Sequence, residues 1–315
     1  MGADLRQDQS LQKHLQKRKA RVLVSILSYN SPEHTIATIQ SFRQQNYADF
    51  HLQLVDNASM PGFVEQIATT FPDLEIKALK ENLGYTGGNN LVLRQGLAEG
   101  YDYVIISNHD IELDENALAC LLETADRCPD AGLVGGVEVC YFTGEVQLVD
   151  RGRFSCWTSR AGKLKDIPQV KEKALKVSSI QGALVLFTRR TLEAGVFLDE
   201  NLFMYYDEID IGFTLEQKGL RAYVDLRVMV RHKNKVKWFN QRSGYLQQRN
   251  RVYMVWKYGE WYHRWFYFCY ASFLELPLKI FFRSFQGHAD FARACLLGHI
   301  DGLKGRMGRG RGERL

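Results

Sequence analysis

"RVLVSILSYNSPEHTIATIQ", residues 21–40, sets the rhythm of the chain. The run "VLVSIL" shows almost no polar alternation, as a strand buried on both faces requires. It breaks into the polar "SYN". Ser31 and Pro32 then stand where a helix takes its N-cap and its first residue. The same sequence of strand, polar strand end and helix recurs downstream. "FHLQLVDNAS" (50–59) reads as a second strand with a polar end, "PGFVEQIATTF" (61–71) as a helix and "LEIKALK" (74–80) as a short strand. "GNNLVLRQGLAEG" (88–100) reads as a helix, and "YDYVIISNHD" (101–110) as another buried strand. Alternating elements of this kind predict an α/β fold, a mostly parallel sheet covered by helices.

Further along, residues 141–178 are turn-rich, as an insertion would be, and "SIQGALVLFTRR" (179–190) resumes an apolar strand. "MYYDEIDIGFTLEQKG" (204–219) reads as a helix closed by Gly219. "LRAYVDLRVMVRHK" (220–233) reads as a final strand or hairpin. Beyond it Arg, Lys and aromatic residues predominate. The expected organisation is a basic extension (1–20), a central domain (21–232) and a basic, aromatic helical segment (233–315).

With 315 residues, 45% apolar and 24% charged, the chain can bury a sizeable core and is not disordered. The net charge of +5 concentrates in "KHLQKRKAR" (13–21), "RHKNKVKW" (231–238) and "LKGRMGRGRGERL" (303–315). Such patches favour anionic partners. No nucleic-acid-binding motif accompanies them, so nucleic acid is not expected. Six cysteines without C-x-x-C spacing read as reduced and mostly buried, implying a cytoplasmic address. The first residues lack the apolar core of a signal peptide. "WFYFCYASFLELPLKIFF" (265–282) is interrupted by Glu275, Pro277 and Lys279. It reads as a helix lying at a membrane interface or buried against another surface, not as a span.

Ligands of open parallel α/β sheets bind beyond the carboxyl ends of the strands. Three such ends are polar here: Tyr29-Asn30, Asp56-Asn57 and Asn108-His109-Asp110. Nearby, "ENLGYTGGNN" (81–90) packs three glycines and three asparagines into ten positions. Glycine loses more freedom on ordering than any other residue, so the cluster needs a reason: a turn, a positive φ or a close approach. At a helix N-terminus such backbone can receive phosphate oxygens, and a nucleoside diphosphate is the expected tenant. The stretch matches neither a nucleotide-triphosphate P-loop nor the nicotinamide fingerprint. Asp110 is a candidate ligand for a divalent cation, with Asp114 the expected cap of "DENALACLLETA" (114–125). Asp207, Glu208 and Asp210 repel one another in the first turn of a helix, and one of them is a candidate general base. His232, closing a strand, is a candidate second metal ligand.

In this order, these residues resemble the family 2 glycosyltransferases of GT-A fold, especially their bacterial rhamnosyltransferase-like branch. "ENLGYTGGNN" is similar to that branch's N-x-G-F-x-G-G-x-N signature. "SNHD" resembles its N-P-D form of the metal-binding D-x-D. "GVFLDENLFMYYDEIDIGFTLEQKGLRAYVDLRVMVRH" (195–232) resembles its G-F-D-E…Y-x-E-D-x-D-L…G…H block. The resemblance spans residues 21–232. It implies that Asp56 contacts the nucleoside with Tyr29 against its base, that Asn82, Gly84, Gly87, Gly88 and Asn89 lie near the donor diphosphate, and that Asn30 and Asn108 also belong to the nucleotide-sugar site. It implies Asp110 and His232 as ligands of Mg²⁺ or Mn²⁺. Asp207-Glu208 inverts the family's acid order, so both stand as candidates for the base. Thr214 stands where many relatives carry Arg, so the donor sugar is not fixed.

The implied activity is inverting transfer from a dTDP- or UDP-linked sugar, rhamnose being the first guess, in bacterial surface polysaccharide synthesis. The acceptor is a hydroxyl of a glycan or glycolipid. Peripheral contact with the inner face of the cell membrane through 233–282 is expected, and self-association is left open. Two rivals remain. A nucleotidyltransferase should carry a Gly-rich Lys/Arg loop after its first strand, which "SYNSPEHT" does not offer. A degenerate domain retained as a binding or assembly subunit predicts metal-indifferent nucleotide binding and no turnover.

Overall fold

The computed structural model describes residues 20–150, 152–169, 171–233 and 240–311. The basic extension before residue 20, the run 234–239 and the last four residues lie outside that set.

The first half of the chain alternates as its sequence predicts. β1 (Val22–Ser28), α1 (Pro32–Arg43), β2 (Phe50–Asp56), α2 (Phe63–Thr70), β3 (Glu75–Ala78), α3 (Gly84–Ala98) and β4 (Tyr103–Asn108) follow in order. Then come β5 (Ile111–Glu112), α4 (Ala117–Arg127), β6 (Ala131–Cys140), β7 (Val146–Leu148), β8 (Phe154–Ser155), β9 (Arg160–Ala161), β10 (Ala174–Val177) and β11 (Leu184–Thr188). α5 (Arg189–Glu193), α6 (Asp207–Gln217) and β12 (Arg221–His232) complete the sheet region. The C-terminal part is helical: α7 (Gln241–Tyr258), α8 (Trp261–Tyr270), a π-helical turn (Ala271–Glu275), α9 (Leu276–Phe285) and α10 (Ala289–Leu303).

The main sheet runs β10-β12-β6-β11-β4-β1-β2-β3. β3, β2, β1 and β4 are mutually parallel and β12 parallels β6, while β11 runs against both β4 and β6. All seven residues of β1 are buried. Val22, Val24 and Ile26 pack with Ile39 and Phe42 of α1 and Leu118 of α4 on one face. Leu23 and Leu27 pack with Val92 and Leu93 of α3 on the other. This two-sided burial is why the strand shows no polar alternation.

Several expectations shift. "LRAYVDLRVMVRHK" is one long strand with an irregularity between Asp225 and Met229, not a hairpin. α3 begins at Gly84, inside the glycine stretch. α4 begins at Ala117 behind Asn116, while Asp114 accepts a hydrogen bond from Arg231 at 2.6 Å. The cysteines are all free, but only Cys295 is buried; Cys269 is exposed and the other four are intermediate. Among the described residues no helix is long and apolar enough to cross a membrane.

Candidate active site

Strand register aligns the polar ends. Ser28 of β1 pairs with Asp56 of β2, and Leu27 with Asn108 of β4. Tyr29-Asn30, Asn57 and His109-Asp110 therefore emerge side by side at one edge of the parallel strands. Asn30 adopts φ 55, and its side chain accepts from Met60 N at 2.7 Å while its own N–H donates to Ser59 Oγ at 2.8 Å. Short polar side chains tolerate the left-handed region, and these two bonds hold the β1 and β2 loops together. Tyr29 is 38% exposed beside them. The Asp56 carboxylate is buried and accepts from Ser59 N at 3.2 and 3.3 Å. Burial pushes its carboxyl above the ordinary range, against the pull of the Ser59 bonds.

The glycine stretch is built from the same loops. Asn57 accepts from Leu83 N at 2.8 Å and donates to Gly84 O at 3.0 Å. Asn82 accepts from Gly84 N at 2.8 Å, and Thr86 N donates to Phe203 O at 3.2 Å. Three N–H groups that open a helix without intrahelical partners are thus met by protein acceptors. Gly84 has φ +74, and a Cβ there would lie 2.4 Å from Phe203 O; one on Gly88 would lie 2.6 Å from Leu27 Cδ1. The protein's own packing therefore requires glycine at position 84, whereas at 88 a Cβ would have to displace the tip of the Leu27 side chain. Gly87 and Asn89 follow in the next turn, with Asn89 Nδ2 donating to Tyr85 O at 3.0 Å and its Oδ1 buried without a partner.

Asp110 and His232 meet across the β5–β12 edge. His232 Nε2 lies 3.1 Å from Asp110 Oδ1, and Nδ1 lies 2.5 Å from Glu138 Oε1 of β6. Burial disfavours an imidazolium, but the two carboxylates outweigh it and push His232 up to about 10. Burial likewise opposes the Asp110 charge, yet the His232 bond holds its carboxyl below the usual range. Burial pushes the adjacent His109 down, against the pull of Asp110; its Nδ1 lies 3.3 Å from Leu27 O.

For a divalent cation the donor chemistry fits. A carboxylate oxygen and an imidazole nitrogen converge, with Glu138 orienting the ring from behind as an outer-sphere carboxylate does. Among the described residues no group of three or more His, Cys, Asp or Glu side chains is arranged around one point. Such a site suits an ion that takes its remaining ligands from phosphate oxygens and water.

The acidic turn of α6 resolves into separate roles. Asp210 is buried and answered by Lys257 Nζ at 2.7 Å and Tyr258 OH at 2.7 Å, both from α7. Lys257 also reaches Asp199 at 2.6 Å. The expected repulsion is therefore relieved from the C-terminal helices. Asp207 is buried and Glu208 half-buried. The Tyr85 hydroxyl, donating to Gly182 O at 2.7 Å, is pushed well up, first by burial and then by the charges of Asp207 and Glu208. The acid pair thus lies within electrostatic reach of Tyr85 in the first turn of α3.

The approach to that pair is an unusual backbone. Phe203, Tyr205 and Tyr206 have φ of 63, 71 and 70. Asn250 of α7 donates to Leu202 O at 3.0 Å and to Met204 O and Tyr205 O at 2.9 Å each. Arg249, fully buried, donates to Leu202 O at 2.8 Å. Sequence reasoning missed Glu138, Lys257, Arg249 and Asn250. A lone Glu in the apolar "LVGGVEVC" was a readable sign; the α7 residues carried none, because their partners are set by docking.

Residues 23–193, more than half of the chain, match the family model described as Glycosyl transferase family 2. Among curated proteins the chain is 23% identical to the N-acetylglucosaminyl-diphospho-decaprenol L-rhamnosyltransferase of Mycobacterium tuberculosis, covering 67% of this chain and 75% of that one. Among solved structures it superposes on GalNAc-T7 with UDP, GalNAc and Mn²⁺ at TM-score 0.59 and 14% identity, over 69% of this chain. This chain spans only 44% of that one. It superposes on the mannosyltransferase PcManGT of Pyrobaculum calidifontis, in complex with GDP-Man and Mn²⁺, at TM-score 0.55 and 15% identity, over 96% and 95% of the two chains. These likenesses establish the GT-A fold.

Proposed function

The chain belongs to glycosyl transferase family 2, and we propose that it moves a sugar with inversion from a dTDP- or UDP-linked donor to a glycan or lipid-linked hydroxyl. Rhamnose is the first candidate sugar, supported by the similar mycobacterial rhamnosyltransferase. The observation that carries this reading is the Asp110–His232–Glu138 chain, set at the aligned strand ends.

In this reading Tyr29, Asn30 and Asp56 receive the nucleoside, and Asn108 and the 82–89 turn border the diphosphate. Asp110 and His232 would hold Mg²⁺ or Mn²⁺, which when bound offsets the charge developing on the departing diphosphate. Glu208 is favoured over the more buried Asp207 as the base that takes the acceptor proton, because a half-buried carboxylate can meet an incoming hydroxyl. Asp207 then supports the local charge. One displacement inverts the anomeric carbon. The exposed aromatic helices α8 and α9 support a peripheral position at the inner membrane face in bacterial surface polysaccharide synthesis. Mass-spectrometric transfer assays with dTDP-rhamnose and UDP-sugars test the reading. Glu208→Gln is expected to lower turnover by at least about a hundredfold, in the range for losing general-base catalysis. Unchanged turnover would remove Glu208 from the role.

A further inference from the structure

α7, α9 and α10, with Arg160 and Tyr206, line an open cavity of about 190 Å³ that this reading leaves unused. Arg160, Gln248, Arg251 and Lys279 supply its polar lining, and Tyr206 forms the wall next to Asp207-Glu208. Its mouth is marked by the exposed Arg160 and Gln247. The charge is unbalanced: three cations face one carboxylate, Glu275, which pairs with Arg160 at 2.9 Å and Arg251 at 2.9 Å. Lys279 Nζ donates to Gln248 Oε1 at 2.8 Å and has no ion-pair partner among the described residues. Gln248 is 1% exposed and Arg251 7% exposed, yet Gln248 Nε2 and Arg251 Nε are buried donors without acceptors. Cations gathered around one carboxylate leave the space with net positive charge, which is costly to bury unpaired. A group with several anionic oxygens offsets that charge.

What lies beside the cavity narrows the ligand. Phe281, Phe282 and Phe285 of α9 are 65, 55 and 86% exposed, and Phe273 of the π-helical turn is 73% exposed. Lys279 thus stands between a donor-lined cavity and a surface of bare aromatic rings. We propose that this cavity holds the phosphate headgroup of a hydrocarbon-tailed acceptor, with the tail lying along α9 and the sugar hydroxyl directed past Tyr206 to the acid pair. The inference rests on the transfer reading and deepens it by naming the acceptor's chemical class.

Titration of the full-length protein with citronellyl diphosphate, followed by tryptophan fluorescence and calorimetry, tests it. Inorganic pyrophosphate and citronellol serve as the head-only and tail-only probes. Citronellyl diphosphate is expected to bind at least about tenfold more tightly than either fragment. Arg160→Gln and Lys279→Met should each weaken it by about tenfold, as loss of a bond to a charged group does. Glu275→Gln, which removes the carboxylate paired with Arg160 and Arg251, should strengthen it, a change that a purely structural role would not produce. Asp110→Asn should leave it unchanged. Arg160 is exposed, so its variant keeps the test if Lys279→Met does not fold. Equal affinity for pyrophosphate, indifference to both cation variants, or loss in Asp110→Asn would overturn the proposal. Probe binding with this profile, but no turnover of any nucleotide sugar, would support the headgroup site while refuting the transfer reading.

Discussion

Replacing Asn250 by Leu should loosen the acid-bearing turn without touching the proposed metal end of the site. The Asn250 amide serves three backbone carbonyls between Leu202 and Tyr205. Leu202 O keeps its bond from Arg249 in the variant, so two acceptors, Met204 O and Tyr205 O, lose this donor. An unsatisfied buried polar group costs about 1–3 kcal/mol. The three left-handed residues Phe203, Tyr205 and Tyr206 together store about 3–6 kcal/mol of backbone strain. The two quantities are comparable, so the turn should relax rather than stay strained and unsatisfied. The expected net loss is about 2–4 kcal/mol, which lowers Tm by roughly 3–6 °C for a chain of this size. Transfer should fall much further than nucleotide affinity, because Asn57, Asp110 and His232 are held by other elements. Asn250→Asp, which turns the donor into a carboxylate facing three carbonyls, should be at least as damaging. Differential scanning calorimetry and transfer assays measure both effects. A Tm within about 2 °C of wild type, with transfer intact, would refute the view that α7 holds this turn.

Lys257→Met strands the buried Asp210 carboxylate and should cost about 3 kcal/mol, the low end for a broken buried pair because Lys257 is partly exposed; urea denaturation measures it. Gly84→Ala combines a positive φ with a clash on Phe203 O and should cost about 2–5 kcal/mol. Gly195→Ala, with φ +76 but open space around it, should cost only about 1–2 kcal/mol by the same assay. For His232 the sign is set by a folded value of about 10 against an ordinary 6.5. Its contribution to metal-free stability is complete below pH 6.5 and is lost as pH rises through about 10. Binding a cation at Nε2 must displace that proton, so Mn²⁺ affinity should rise with pH between 6 and 8 with proton release, measurable by calorimetry in buffers of different ionisation heat.

Local signals carried the parallel half of the fold. The apolar run of β1, the Ser31-Pro32 opening and the polar strand ends each depend on neighbours within a few residues. The start of α3 did so only in part: Asn82 caps Gly84 locally, but the other acceptors are Asn57 and Phe203, the latter more than a hundred residues on. The glycines read as room for a ligand; that Gly84 is also required by the Phe203 backbone could not be read from the sequence. Asp207, Glu208 and Asp210 read as one repulsive cluster, and nothing in their spacing announced that Lys257 would answer Asp210. Asp110 and His232 were legible as strand-end residues; their convergence and the Glu138 behind them follow from β12 lying beside both β5 and β6.

The most direct test of the central claim is calorimetric titration of dTDP and UDP, with and without Mn²⁺, against the wild-type protein and Asp110→Asn. The account predicts that one diphosphate binds only with Mn²⁺ and that Asp110→Asn abolishes the metal-dependent part. Binding that is equally tight without metal, or unaffected by Asp110→Asn, would contradict it.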